Sequence, residues 1–302
     1  MFRSLIALLV LSFALTACNN DDDNFQQLID QATPETALLT NQRTGSVNEI
    51  YGQIKTGIEL AEGPTVMAEV NHSQAAAGVG LDLRPTRLIF FGNPEIGTQF
   101  MQQNQLAGLD LPLRMQVYQD SEDRTLVTYR NAAYLTKTYD ITLVNVENNV
   151  NQLLADLADR ENPDPFLNQS FDSEFDILTT TSANSFEDSY AAARDKAVEL
   201  GFTVLAEFDH GEAAANVGLD LDPTRVLVFG NPAGGTQLMQ VDQQVGYDLP
   251  LKLLVWQDAN GVVYTSYYNG STLADRYDLS GVEEVIGNVN DAYAAIVEAA
   301  TE

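Results

Sequence analysis

Two histidines, at matching positions of a repeated sequence, are the side chains best suited to chemistry. His72 and His210 each follow an alternating segment and precede an alanine-rich stretch, with Glu69 or Glu207 three residues earlier. A histidine placed in this way can titrate near neutral pH, act as a general base or bind a metal ion. It can also be structural, with a ring nitrogen bonded to nearby backbone. A zinc site usually takes three or four ligands, so one histidine per copy is weak support for a metal centre.

Other polar residues recur in both copies and complete the candidate ligand site. They are Asn93, Asn231, Thr98, Thr236, Tyr129 and Tyr267. The glycines around the asparagine and threonine are spaced as in a phosphate loop, but the lysine that would reach the phosphates is missing. A tight strand-to-helix turn explains the same residues and is the favoured interpretation. No Ser-His-Asp arrangement is apparent, and we interpret Asp110 and Asp248 as capping residues of turns or helix ends.

The charge and the cysteine content exclude several classes of function. The formal net charge is −28, and such a surface repels phosphate backbones, whose neutralisation supplies most nucleic-acid affinity. Nucleic acid is therefore excluded as a partner. Cys18 is the only cysteine in the chain, so an internal disulfide and thiolate metal sites in the folded domains are excluded. The sequence gives no strong indication of a cofactor.

The first residues predict export and lipid anchoring. Arg3 precedes an apolar run at 5–17, which is too short to span a bilayer and is typical of a secretory signal. Leu15-Thr16-Ala17-Cys18 resembles the motif read by lipoprotein signal peptidase, which implies acylation of the cysteine. We therefore expect a signal peptide at 1–17 and a lipidated acidic tether at 18–33. Asn19, rather than aspartate, follows the cysteine, which indicates the outer membrane facing the periplasm.

Most of the remaining chain consists of two copies of one domain. Residues 72–140 align without a gap on 210–278, with about half of the positions identical, and a period this long indicates duplicated domains rather than a solenoid. Asn162-Pro163-Asp164-Pro165 predicts a linker because two close prolines interrupt a helix. We place the first domain at 34–161, the linker at 162–168 and the second domain at 169–302.

Each copy predicts an α+β domain with helices on one face of a mostly antiparallel sheet. In the first copy, strands are expected at 38–43, 66–70, 87–91, 113–119 and 125–131. In the second, they are expected at 175–181, 204–208, 225–229, 251–257 and 262–269. The motifs Ser46-x-x-Glu49, Ser185-x-x-Asp188 and Ser280-x-x-Glu283 predict capped helix starts. A further helix is expected after each Gly-Asn-Pro.

A family resemblance accompanies this pattern. The order of histidine, alanine-rich turn, Pro-Thr-Arg, Phe-Gly-Asn-Pro, Gly-Thr and Asp-Leu-Pro-Leu resembles the bacterial domain-of-unknown-function 302 family. The resemblance implies a TATA-binding-protein-like α+β fold and carries no settled activity.

Strand alternation suggests how the copies meet. If Val66, Ala68 and Val70 face the helices, Glu69 points to the other face of the sheet. By the same alternation, that other face also carries Arg114, Gln116 and Tyr118 in the first copy and Lys252, Leu254 and Trp256 in the second. A face with aromatic and aliphatic side chains is too apolar to leave in water without a reason. We expect the repeats to pack through these faces as an internal pseudo-dimer, or to leave a groove for a ligand. The preferred function is an envelope module that binds a small molecule or a protein; the alternative is an enzyme or a metal or redox accessory using both histidines.

Overall fold

A computed structural model describes residues 36–160 and 177–302. The signal peptide, Cys18 with its tether at 18–33 and the linker at 162–168 are predictions that lie outside the described residues.

The described part of each repeat has its helices and strands in the same order. The elements of the first repeat are β1 (Leu39–Arg43), α1 (Val47–Leu60), β2 (Thr65–Asn71), α2 (His72–Gly78), β3 (Thr86–Gly92), α3 (Pro94–Gln103), a first 3₁₀ helix (Gln105–Leu109), β4 (Leu113–Gln119), β5 (Thr125–Tyr129), α4 (Ala132–Thr138) and α5 (Val144–Ala158). Those of the second are β6 (Ile177–Ser182), α6 (Phe186–Glu199), β7 (Thr203–Asp209), α7 (His210–Asn216), β8 (Thr224–Gly230), α8 (Pro232–Val241), a second 3₁₀ helix (Gln243–Tyr247), β9 (Leu251–Gln257), β10 (Val263–Tyr268), α9 (Gly270–Arg276) and α10 (Glu283–Thr301).

The strands form two separate five-stranded sheets, ordered β1-β5-β4-β3-β2 and β6-β10-β9-β8-β7. Every pairing in both sheets is antiparallel. Helix α1 packs on β2, β3 and β4, and α6 packs on β7, β8 and β9. The predicted α+β class, with two repeats of a mostly antiparallel sheet and its helices, is confirmed.

Local capping explains where most of the predicted helices begin. Ser46 accepts a hydrogen bond from the Glu49 amide, and Ser185 does the same for Asp188, which satisfies amides that a helix start leaves unpaired. The motif at Ser280 was interpreted wrongly. Helix α10 begins at Glu283 with Val282 at its N-cap and no side-chain cap.

An alanine-rich turn or short helix was predicted at the positions of α2 and α7, but α4, α9 and the two 3₁₀ helices were not predicted. Asn131 and Asn269 were expected to end strands, but their side chains accept hydrogen bonds from Tyr134 N and Thr272 N and so cap α4 and α9. These helices contain seven residues each, and the 3₁₀ helices contain five. Segments of fewer than two turns carry too little periodicity to be recognised from an apolar pattern.

A β-bulge overturns the predicted face of Glu69. The pairing of β2 with β3 shifts between Val66 and Ala68, so residues after the bulge face opposite to the simple alternation. The Glu69 carboxylate therefore accepts from Tyr51 Oη at 2.7 Å and Lys55 Nζ at 2.6 Å, both on α1.

Candidate functional site

The two repeats contact each other through their 3₁₀ helices. Gly108 lies against the second sheet, where a Cβ would be 3.2 Å from Leu254 Cδ1. Gly246 lies against the first sheet, where a Cβ would be 2.5 Å from Gln116 Nε2. A larger residue at either position would therefore force the ends of these neighbouring side chains to move.

Paired glutamines hold these contacts in a reciprocal pattern. Each donates its side-chain N–H to an oxygen of the other repeat, with N···O distances between 2.7 and 2.9 Å. The pairs are Gln102–Asp220 O, Gln240–Asp82 O, Gln105–Thr224 Oγ1 and Gln243–Thr86 Oγ1. Because the partners match residue for residue, the contact has the form expected of an isologous interface.

Both histidines are buried at this contact. His72 and His210 are 6 % and 7 % exposed. Burial lowers the pKa of each to about 4, opposed by hydrogen bonds to backbone of the other repeat, at Gly246 for His72 and at Gly108 and Leu111 for His210. Both rings are therefore neutral at pH 7. In the described part of the chain, Nε2 of each ring is buried without a hydrogen-bond partner.

Each histidine lines a cavity with the loop of the opposite repeat. The first cavity, of about 330 Å³, brings His72 together with Asn231 and Thr236. The second cavity, of about 50 Å³, brings His210 together with Asn93 and Thr98. Each cavity is thus lined by residues of both repeats. The sequence analysis missed this arrangement, because a repeated sequence does not show which residues of one copy lie next to which residues of the other.

The other candidate residues lie away from both cavities. Glu207 accepts from Tyr190 Oη at 2.9 Å, matching Glu69 in the first repeat. Tyr129 is fully buried in β5, and Tyr267 stacks on Tyr293 of α10 with ring centroids 4.3 Å apart. These four residues line neither cavity.

Two substitutions between the repeats place larger side chains at the second cavity. Ile96 and Phe100 of α3 line the second cavity, whereas Gly234 and Leu238 of α8 stand at the matching positions of the first. A Cβ at Gly234 would have Val285 Cγ1 as its nearest neighbour at 3.6 Å, an ordinary van der Waals distance, so it would fit at the wall of the first cavity without a clash.

Asp110 and Asp248 lie at the C-caps of the two 3₁₀ helices, the helix-end positions expected of them, and their side chains belong to a buried ionic cluster that the sequence did not predict. Asp248 accepts two hydrogen bonds from Arg130, at 2.6 and 2.7 Å, and one each from Arg276 and Tyr277, at 2.8 Å. Burial opposes ionisation of Asp248, but the Arg130 and Arg276 charges hold its pKa well below the ordinary value.

Asp110 is bonded to one arginine and one lysine, whereas the carboxylate of Asp248 is bonded to arginines. It accepts from Arg114 at 2.8 Å, from Tyr139 at 2.7 Å and from Lys252 at 3.2 Å. Burial raises the pKa of Asp110, but the Lys252 and Arg114 charges outweigh that effect and leave the pKa below its ordinary value. Burial, with repulsion from Arg114, lowers the pKa of Lys252 to about 7.

Residues 36–160 and 177–302 contain neither a metal-binding group of side chains nor a membrane-spanning helix. They contain no group of three or more histidine, cysteine, aspartate or glutamate side chains arranged to hold a metal ion. Within the same ranges, no helix is both long enough and apolar enough to cross a membrane.

The fold defines a tandem α+β repeat protein, in which each copy has one five-stranded antiparallel sheet with its helices. The sequence model of the "Domain of unknown function DUF302" family matches residues 39–159 and again residues 178–299. The chain therefore belongs to the DUF302 family and carries two tandem copies of its domain.

Similarity to individual proteins covers parts of the chain. Over 103 residues it is 37% identical to "Fluoride-specific ion channel FluC 1" of Brucella suis biovar 1 (strain 1330), covering 34% of this chain and 41% of that protein. The protein of the same name from Brucella abortus biovar 1 (strain 9-941) is also 37% identical over 103 residues, with 38% of it covered. The chain thus spans about two fifths of the length of these relatives.

One solved structure is similar to part of this chain. The crystal structure of an uncharacterized conserved DUF302 protein from Bacillus stearothermophilus is 23% identical to this chain. It matches with a TM-score of 0.39 and covers 43% of this chain and 99% of its own.

Proposed function

We propose that this protein binds a small, uncharged and largely apolar molecule in the first cavity, so that the two repeats act as one binding unit. The observation that carries the proposal is the cavity of about 330 Å³ between His72 and the Asn231–Thr236 segment. Ligand sites generally start near 300 Å³ and combine apolar walls with a few polar groups. An apolar cavity of about 150 Å³ is already enough for benzene.

The chemistry of the walls supports a neutral ligand. The lining contains no aspartate, glutamate, lysine or arginine, and His72 is neutral because burial lowers its pKa to about 4. Apolar walls come from both repeats, with Val70 from the first and Leu249 and Val289 from the second. A charged ligand would lose its hydration without gaining a counter-charge, which costs several kcal/mol.

An enzyme or a metal accessory that uses the histidines is not favoured. Both rings are buried, neutral and hydrogen-bonded to backbone of the other repeat. In the described ranges they are not accompanied by a group of side chains able to hold a metal ion.

A titration with toluene tests the proposal. Uniformly ¹⁵N-labelled full chain is titrated, and amide shifts are compared between the two cavities. We expect saturable shifts at Leu205 and Thr236, which line the first cavity, and none at Met67 and Thr98, which line the second. Absence of saturable shifts around the first cavity would overturn the proposal.

A matched pair of variants checks that the cavity is the binding site. Gly234→Ile introduces the side chain that the first repeat carries at Ile96, and we expect it to abolish toluene binding by filling the first cavity. Isoleucine has a higher helix propensity than glycine, so loss of folding is not the expected cause. Ile96→Gly should open the second cavity and add shifts at Thr98 to those around the first cavity, at a stability cost of about 2 kcal/mol or more.

We further propose that Cys18 anchors the protein to the outer membrane, facing the periplasm. The support is the sequence alone: an apolar run at 5–17 ends in Leu-Thr-Ala-Cys and is followed by Asn19. Growth of the native host with an alkyne-labelled palmitate should label the wild-type chain and leave Cys18→Ala unlabelled. An unlabelled wild-type chain, or label found in the inner-membrane fraction, would contradict this placement.

A further inference from the structure

We propose that Lys252 is a proton-operated switch at the contact between the two repeats. Inside the folded protein its ammonium group releases a proton to water and becomes a neutral amine, and the reverse step weakens the contact between the second sheet and the first 3₁₀ helix. The switch belongs to the buried ionic cluster and does not depend on the first cavity or its ligand.

The side chain of Lys252 links the repeats directly. It extends from β9 of the second repeat and is 6 % exposed. Nζ donates to Leu109 O at 2.8 Å and to Asp110 Oδ1 at 3.2 Å, both at the end of the first 3₁₀ helix. Tyr293 Oη bonds the backbone N and O of Lys252 at 3.1 and 3.0 Å, which holds the start of the side chain in place.

The neighbouring charges make Lys252 the surplus cation. Arg114 donates to the same Asp110 Oδ1 atom at 2.8 Å, and Arg130 donates to both carboxylate oxygens of Asp248. Each carboxylate thus already has an arginine, and a charged Lys252 adds a further positive charge where water is nearly excluded. Such a charge is costly. Arginine does not lose its proton in proteins, whereas lysine does, so Lys252 is the cation that can relieve the excess.

The pKa of Lys252 agrees with this assignment. Burial and repulsion from Arg114 lower it to about 7, against the attraction of Asp110 and Asp248. In an unfolded chain the pKa of lysine is about 10.4. Between these values the unfolded chain binds more protons, so stability rises with pH and the neutral amine is the better-tolerated form in the contact.

Other titratable groups near Lys252 do not change charge near pH 7. Tyr268 and Tyr293 line a small cavity with Lys252, and burial raises the pKa of both tyrosines far above its ordinary value. His210 is bonded to the backbone of the first 3₁₀ helix, and burial lowers its pKa to about 4. A transition near neutral pH at this contact is therefore assigned to Lys252.

The matching position of the first repeat is Arg114, which makes the equivalent contact with a permanent charge. Its Nη1 donates to Tyr247 O at 3.1 Å, at the end of the second 3₁₀ helix. The same link is thus fixed in one direction and titratable in the other.

An NMR titration of the full chain tests the switch. The chain has four lysines, whose ¹³Cε and ¹⁵Nζ signals are followed against pH. We expect Lys252 to titrate with a midpoint between about pH 6 and pH 9, and the amide shifts of Leu109 and Asp110 to follow it. Lys55 is the control, because its bond to Glu69 raises its pKa above the ordinary value of about 10.4. A Lys252 midpoint outside this range, or amides that do not follow it, would overturn the proposal.

Two variants represent the two states of the amine. Lys252→Met is uncharged at every pH, and Lys252→Arg carries the permanent charge found at Arg114. Between about pH 7.5 and pH 9, the equilibrium constant for urea unfolding of the wild type should fall roughly tenfold per pH unit relative to Lys252→Met, and that of Lys252→Arg should show no such fall. Parallel pH profiles for the wild type and Lys252→Met would also contradict the switch. The NMR titration uses the unmodified protein, so an unstable variant does not remove the test.

Discussion

The two cavities are built to one plan and differ in what fills them. In each, a buried histidine of one repeat meets the Gly-Asn-Pro loop of the other, yet one encloses about 330 Å³ and the other about 50 Å³. The glutamine contacts around them remain paired. The two repeats therefore share the glutamine contacts between them but differ in the side chains that line the cavities. Only the first cavity is left open.

The buried ionic cluster diverges in the same way. Asp110 and Asp248 occupy equivalent positions and both are bonded to Arg114, but the other cationic partners are Arg130 and Arg276 for Asp248 and Lys252 for Asp110. The repeats are therefore no longer interchangeable at their shared interior.

The largest expected effect compares the two buried aspartates. Asp248→Asn should destabilise the protein by about 3–5 kcal/mol, because it removes the buried carboxylate to which Arg130 and Arg276 are bonded. Asp110→Asn should cost clearly less, because Lys252, whose pKa is about 7, can release its proton. Urea unfolding of both variants measures the difference, and equal costs would show that the two halves of the cluster are equivalent after all.

The next effect is a loss of stability in acid to which both repeats contribute. The pKa of His72 and of His210 is lowered to about 4 in the folded protein, against about 6.5 in an unfolded chain. Between these values the unfolded chain binds more protons, so stability falls as the pH drops from 6.5 to 4. Each histidine should contribute roughly 3 kcal/mol over this window.

Histidine variants check that assignment. His72→Phe should remove about half of the pH dependence between 6.5 and 4, and His210→Phe should remove a similar share. Unfolding free energies measured at several pH values give the slope. A slope unchanged in both variants would mean that the buried rings do not cause it.

The smallest expected effect concerns the glutamine hydrogen bonds between the repeats, which have the same partners in both directions. Gln102→Ala and Gln240→Ala each remove one side-chain hydrogen bond of 2.7 Å to the opposite repeat, and each should cost about 1 kcal/mol. Because the two contacts are equivalent, the costs should agree. Clearly unequal costs in urea unfolding would contradict the reciprocal geometry.

The sequence predicted the repeated architecture well because long periodic segments carry it. Strands β4 and β9 lie at the predicted positions, and the serine caps of α1 and α6 are formed. The family resemblance is confirmed by matches at 39–159 and 178–299. These features depend on local patterns, which a sequence displays directly.

The site was predicted only in part because its assembly is not local. His72 was singled out, but its partners Asn231 and Thr236 come from the other repeat. Glu69 was assigned to the wrong sheet face because one extra residue in β2 reverses the alternation. The difference between Ile96 and Gly234 is visible in the sequence, but its effect on cavity size follows only from the structure, which shows that both residues line cavities.

Xenon binding tests the central claim most directly. Xenon occupies apolar cavities large enough to hold it, and crystals of the protein pressurised with xenon would show the atom by its anomalous signal. The account predicts an occupied site in the first cavity, beside Leu238 and Val289, and none in the second, where Phe100 and Val150 stand. Equal occupancy of both cavities, or an empty first cavity, would contradict it.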